Sequence, residues 1–184
     1  MRSKSLYLHI YKKQLGFAAV RCGFEDQEDL FFQAYSELEK VLEPVAYYEY
    51  NYPARNEFVA VITLDPGPDR LLAGLQLGEQ KKKEALKALC KELLNQSGRA
   101  MTDFVRQERR VKLEKVRIVR GSEQQELLAN LAADWPELPV ETKPDGELLP
   151  SQTLVYRARL GRVFGCTTGG SCASCPHPTC GKGV

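Results

Sequence analysis

Between positions 27 and 43 the apolar residues Leu30, Phe31, Ala34, Leu38, Val41 and Leu42 recur every three or four positions. That period winds them onto one stripe of an α-helix. Asp26 is the natural N-cap and Pro44 the stop. Upstream, Leu6, Leu8 and Ile10 alternate with Tyr7, His9 and Tyr11, which predicts a strand over 6–11. A second strand is expected over 16–24, joined to the first through 12–15. Downstream, 45–50 and 58–64 read as another pair, the first rich in tyrosine (Tyr47, Tyr48, Tyr50). The N-terminal half therefore reads ββαββ.

The middle is helical. Over 79–95, Ala85, Leu86, Leu89, Cys90, Leu93 and Leu94 share a face, with Lys81, Lys83, Lys87 and Lys91 turned to water. Gly98 is the expected stop, and a short helix follows over 102–108. A strand over 111–119 would set Lys112 and Glu114 on one face and Lys115, Arg117 and Val119 on the other. Ser122 and Gln125 form a capping box for a helix reaching about 133. The last extended piece, 154–160, alternates Leu154, Tyr156, Ala158 and Leu160 with Val155, Arg157 and Arg159. Turns fall at 65–69 and 143–147. The expected class is α/β or α+β with a mixed sheet. One globular domain would span 1–162, and a cysteine-rich tail 163–184.

A chain of 184 residues can bury a core without disulfides. The apolar run near the start is too short and too interrupted for a signal peptide, and no stretch approaches a membrane span. Cytoplasm, with no membrane partner, is the expectation. Two histidines in the whole chain leave little for an acid–base triad, and none of the common nucleotide, nucleophile-elbow or zinc-protease motifs is present. An autonomous hydrolase is not expected.

The tail changes the picture. Cys166, Cys172, Cys175 and Cys180 stand in the spacing C-x5-C-x2-C-x4-C among Gly, Ser, Thr and Pro. Ordering a backbone costs roughly 1–2 kcal/mol per residue, and this stretch has almost no apolar surface to offset it. Thiolate–metal bonds, at about 10 kcal/mol or more, would. In a reducing compartment such a cluster of thiols reads as a metal site; in a secreted chain it would read as two disulfides. From Leu148 to Val184 there is no Asp or Glu, while Arg157, Arg159, Arg162 and Lys182 are basic. Those cations would offset the net negative charge of a four-thiolate centre.

A structural zinc site usually draws on two C-x2-C knuckles, whereas this tail has one flanked by single cysteines. A short chain that wraps its ligand suits a cube-shaped cluster with one thiolate per iron. In this the spacing resembles the cluster loop of the endonuclease III family of DNA glycosylases, C-x6-C-x2-C-x5-C. Both outer spacers are one residue shorter here, and that family's helical body and catalytic residues have no counterpart. The resemblance implies a [4Fe–4S] wrapping mode and no glycosylase activity. The stretch 167–171 can aim backbone N–H and hydroxyl groups at sulfur. Zn²⁺ is the alternative metal, with His177 a substitute ligand in a Cys3His site. Cys22 and Cys90 read as small buried hydrophobes.

One other constellation carries chemistry. Arg109, Arg110 and Lys112, with Arg157 and Arg159, could form a basic stripe for phosphates. The leading expectation is a cluster-bearing protein with a regulatory, accessory or electron-transfer role and a protein partner. A nucleic-acid-binding module with a structural zinc site, and a thiol-redox or metal-delivery protein, are the alternatives.

Overall fold

The computed structural model describes residues 1–6, 10, 12–109 and 111–162. Strand β1 (Arg2–Ser5) is followed by helix α1 (Lys12–Arg21), a 3-10 turn (Glu25–Gln27) and helix α2 (Glu28–Glu39). Strands β2 (Val45–Tyr50) and β3 (Glu57–Thr63) lead to α3 (Gly67–Ala73) and the long α4 (Gln80–Arg109). Then come β4 (Val111–Ile118), α5 (Gly121–Asp134), the short β5 (Glu141–Thr142) and β6 (Leu148–Leu149), and β7 (Thr153–Arg162). Five strands form one sheet in the order β1-β2-β3-β7-β4, and β5 pairs with β6 around the predicted turn. Every pairing among the described residues is antiparallel, so the sheet they form is not mixed as expected. The sheet also joins segments far apart in sequence, since β7 inserts between β3 and β4.

The N-terminal order is β1-α1-α2-β2-β3, not ββαββ. The window 16–24 is largely helix because Leu15, Ala18 and Ala19 are buried together while Phe17 and Val20 face out. That is a three-to-four-residue period, not a two-residue one. The first strand lies earlier than 6–11; Leu6 and Ile10 are buried, and the rest of that window lies outside the described residues. Helix α2 is shorter than predicted. Its cap is Gln27, Asp26 sits in the 3-10 turn, and the helix ends at Glu39, ahead of Pro44.

The middle holds a larger departure. Helix α4 runs for 30 residues straight through Gly98, merging the two predicted helices. Ala85, Leu89, Leu93, Ser97, Met101 and Val105 are all buried and spaced by four. The stripe therefore continues across the glycine, whose cost of about 1 kcal/mol in a helix is outweighed by the burial on either side. Ser97 donates its hydroxyl to the Leu93 carbonyl at 2.8 Å, so its burial leaves no orphan. Helix α3 stands where only a turn is expected. Pro66 is its N-cap, and Gly67 and Pro68 are buried in its first turn. Helix α5 begins at Gly121 behind Arg120, with no side-chain cap, so Ser122 and Gln125 form no capping box.

Three apolar clusters follow from this plan. The first half of α4 packs with α1 and α2 around Phe31, Leu38, Leu86 and Leu89. Its second half lays Met101 and Val105 on one face of the sheet, against Phe58, Ala60, Ile62, Leu113, Tyr156 and Ala158. On the other face α5 sets Leu127, Leu128, Leu131 and the following Trp135 on Val59, Val61 and Val155. Strand β3 is covered on both sides. Its run Phe58–Ile62 is fully buried, and it lacks the apolar–polar alternation of a half-exposed strand.

Candidate functional site

The cysteines that dominate the sequence, Cys166, Cys172, Cys175 and Cys180, lie outside the described residues, as do His177 and Arg110. The last described strand, β7, ends at Arg162, four positions before Cys166. Arg162 pairs in register with Val111, so the end of β7 meets the start of β4 and the end of α4. A cleft of about 320 Å³ opens there, lined by Tyr50, Asn51, Asn56, Arg109, Val111, Leu160 and Gly161. Arg109 stacks its guanidinium 4.9 Å from the Tyr50 ring centre. The Tyr50 hydroxyl donates to Glu108, which also receives Arg2 at 3.4 Å. Burial, together with that carboxylate, pushes the Tyr50 phenol well above its ordinary value.

Of the predicted basic stripe, Lys112, Arg157 and Arg159 come together on the face of the sheet that carries α5. Cross-strand register explains why. Arg159 faces Glu57 on one side and Glu114 on the other, Arg157 faces Val59 and Arg117, and Lys112 faces Gly161. Directly opposed residues share a face. Arg109 belongs elsewhere, at the end of α4.

Arg117 also joins this face, against the alternation expected for its strand. The register of β4 shifts between Glu114 and Arg117, and Lys115 sits there at a φ of 50°. This β-bulge inserts a residue and turns Arg117 round to the side of Glu114. Sequence periodicity carries no mark of it.

The electrostatics of this face are those of a lattice, not a bare positive patch. Arg157 bonds Glu57 at 2.5 Å and lies 3.7 Å from Glu123. Arg117 grips the Glu123 carboxylate with both terminal nitrogens. The Arg117 bond holds Glu123 below the usual carboxylate range. The Glu114 side chain lies over Gly161, where any side chain would collide with it. Glu57 and Glu123 come from β3 and α5, so only tertiary pairing brings them to the arginines. Beside them runs a groove of about 530 Å³ between the β2–β3 connection and α5, edged by Tyr52, Glu126, Asn130 and Asp134. The Tyr52 hydroxyl donates to Asp134 at 2.6 Å; burial and that bond push the phenol up to about 12.

Cys90 is buried in the helical cluster and Cys22 packs at its margin. Burial pushes the Cys90 thiol up to about 12 and raises Cys22 too, so both stay protonated at neutral pH. Asp65 and Asp69, which flank the predicted 65–69 turn, have separate structural settings. Asp65 takes a positive φ of 67°, and Asp69 accepts both the backbone N–H and the hydroxyl of Ser151. Among the described residues no three His, Cys, Asp or Glu side chains are grouped to hold a metal ion. No described helix is long and apolar enough to cross a membrane. No known protein family matches this chain, and neither does any curated protein.

Proposed function

We propose that this chain holds a [4Fe–4S] cluster on Cys166, Cys172, Cys175 and Cys180 and serves a protein partner as an accessory, regulatory or electron-transfer component in the cytoplasm. The observation that carries the reading is the spacing C-x5-C-x2-C-x4-C in a tail too poor in apolar residues to order itself. When bound, such a cluster supplies one-electron transfer. The chain's own contribution is ligation by the four thiolates and a surrounding sequence without carboxylates from Leu148 onward. The thiols of the globular part support a division of labour: Cys22 and Cys90 are protonated and packed among apolar residues, so they are poor competitors for a metal.

The nucleic-acid reading has less support. Arg157 and Arg117 are already engaged by Glu57 and Glu123, and a phosphate would have to break those bonds before making its own.

Anaerobic purification with iron and acid-labile sulfide analysis tests the proposal. About four of each per chain and a broad absorbance band at about 400 nm are expected. The band should vanish in the Cys172→Ser, Cys175→Ser double variant. A colourless protein with one zinc ion would reject the cluster and keep a metal site. Neither metal, with all thiols freely reactive, would reject both.

A further inference from the structure

The arginine lattice borders a second pocket, of about 280 Å³, lined by Glu57, Lys115, Arg117, Arg157, Ala158 and Arg159. Two of its cations are already held: Arg157 by Glu57 and Glu123, and Arg117 by Glu123. The other two are not. Lys115 and Arg159 are exposed, and neither side chain makes an ion pair or hydrogen bond among the described residues. Just beyond the pocket, Glu114 lies over Gly161, and Lys112 pairs in register with that glycine. Five cations therefore stand against three carboxylates, a local surplus of two positive charges.

The backbone supplies a second, independent observation. Lys115 holds its left-handed φ of 50° although it is not glycine, an uncommon conformation for a side chain of this size. Strained residues of this kind persist only where their surroundings fix them, and they gather at ligand clamps. Here the strain stands in the pocket wall. Its consequence is convergence: without the extra residue of the bulge, Arg117 would fall on the opposite face of the sheet from Arg157 and Arg159. The carboxylates of Glu57 and Glu123 then hold both lattice arginines in place, so the pocket is formed before any ligand arrives.

We propose that this pocket binds the phosphomonoester dianion of a small molecule, with Lys115 and Arg159 as its direct partners. The planar guanidinium suits two phosphate oxygens and the ammonium a third. Arg117 and Arg157 keep their carboxylates, so no existing bond has to break. The charge surplus matches a dianion. A nucleic-acid strand fits less well, because its phosphates are monoanions that need cations in a row, and Arg109 of the predicted stripe belongs elsewhere. A cavity of about 150 Å³ takes benzene, so this one admits a phosphate with a small organic body. The site is built wholly from the globular part and stands whether or not the tail carries a cluster.

Methyl phosphate is the probe, titrated into the full-length chain at about pH 7.5, where a monoester is mostly dianionic, and followed by amide chemical shifts. Dimethyl phosphate is the monoanionic control. Saturable shifts are expected at Lys115, Arg117, Ala158 and Arg159, with a Kd on the order of 1 mM and weaker binding of the diester. Arg159→Gln and Lys115→Gln should each weaken binding about three- to tenfold, while Arg159→Lys retains most of it. Arg99→Gln removes the same charge from α4, on the other side of the sheet, and should change nothing. Thermal melting checks that the variants fold. Equal binding of monoester and diester would overturn the dianion assignment. Equal loss in Arg99→Gln, or shifts elsewhere only, would overturn the site. A short single-stranded oligonucleotide that binds through Lys115 and Arg159 when methyl phosphate does not would overturn the small ligand in favour of a nucleic acid.

Discussion

Gly67 shows how much one missing side chain can decide. A Cβ at this position would drive into the Val41 carbonyl, which is backbone and has little room to move. The contact docks the first turn of α3 against the segment that follows α2. Its φ is not in the left-handed region, so the need for glycine is one of space and not of backbone freedom. Gly67→Ala should destabilise the protein by about 1–3 kcal/mol, the range for overpacking a filled site, as read by urea denaturation. An unchanged midpoint would mean that α3 docks differently. The sequence around it, Asp65-Pro66-Gly67-Pro68-Asp69, reads as a plain turn. Nothing local reveals that a carbonyl more than twenty positions earlier sits against it.

At the scale of elements, the same sequence signals succeed or fail according to what covers the residue. Strands β2 and β3 fall where β-rich apolar runs predict them, and β4 and β7 within a residue or two. The second predicted strand is instead α1 because short apolar runs fit either period, and burial of Leu15, Ala18 and Ala19 settles the choice. Helix α4 outruns Gly98 because both ends of it have something to bury against. The bulge in β4 is the least legible feature, and it is testable. Lys115 holds a left-handed conformation that glycine adopts freely and β-branched residues resist. Lys115→Gly is expected to be neutral or to stabilise by up to ~1 kcal/mol, whereas Lys115→Val should destabilise by more than that. Equal melting temperatures for the two variants would count against the bulge.

For the molecule as a whole, α4 is the common member. Its first half completes the helical cluster and its second half covers the sheet, so neither cluster opens without disturbing it. Strand β3, buried on both faces, and the buried stripe of α4 should therefore exchange their amide hydrogens only through global unfolding. The two-residue strands β5 and β6 and the exposed edge strand β1 should exchange faster by local opening. Hydrogen exchange followed residue by residue checks this. Protection in β1 equal to that in β3 would contradict it.

The cysteine spacing, the acid-free run around it and the approximate places of most helices and strands could be read from the chain alone. Each rests on residues close together in sequence, where composition and period act directly. The antiparallel order, with β7 between β3 and β4, was settled only by folding. So was the neutralisation of Arg157 and Arg117 by carboxylates from other elements, and so was the burial of the Tyr156 hydroxyl without a partner among the described residues. These depend on which distant segments share a face, and hydrophobic burial, being non-directional, leaves that choice to the packing of the whole.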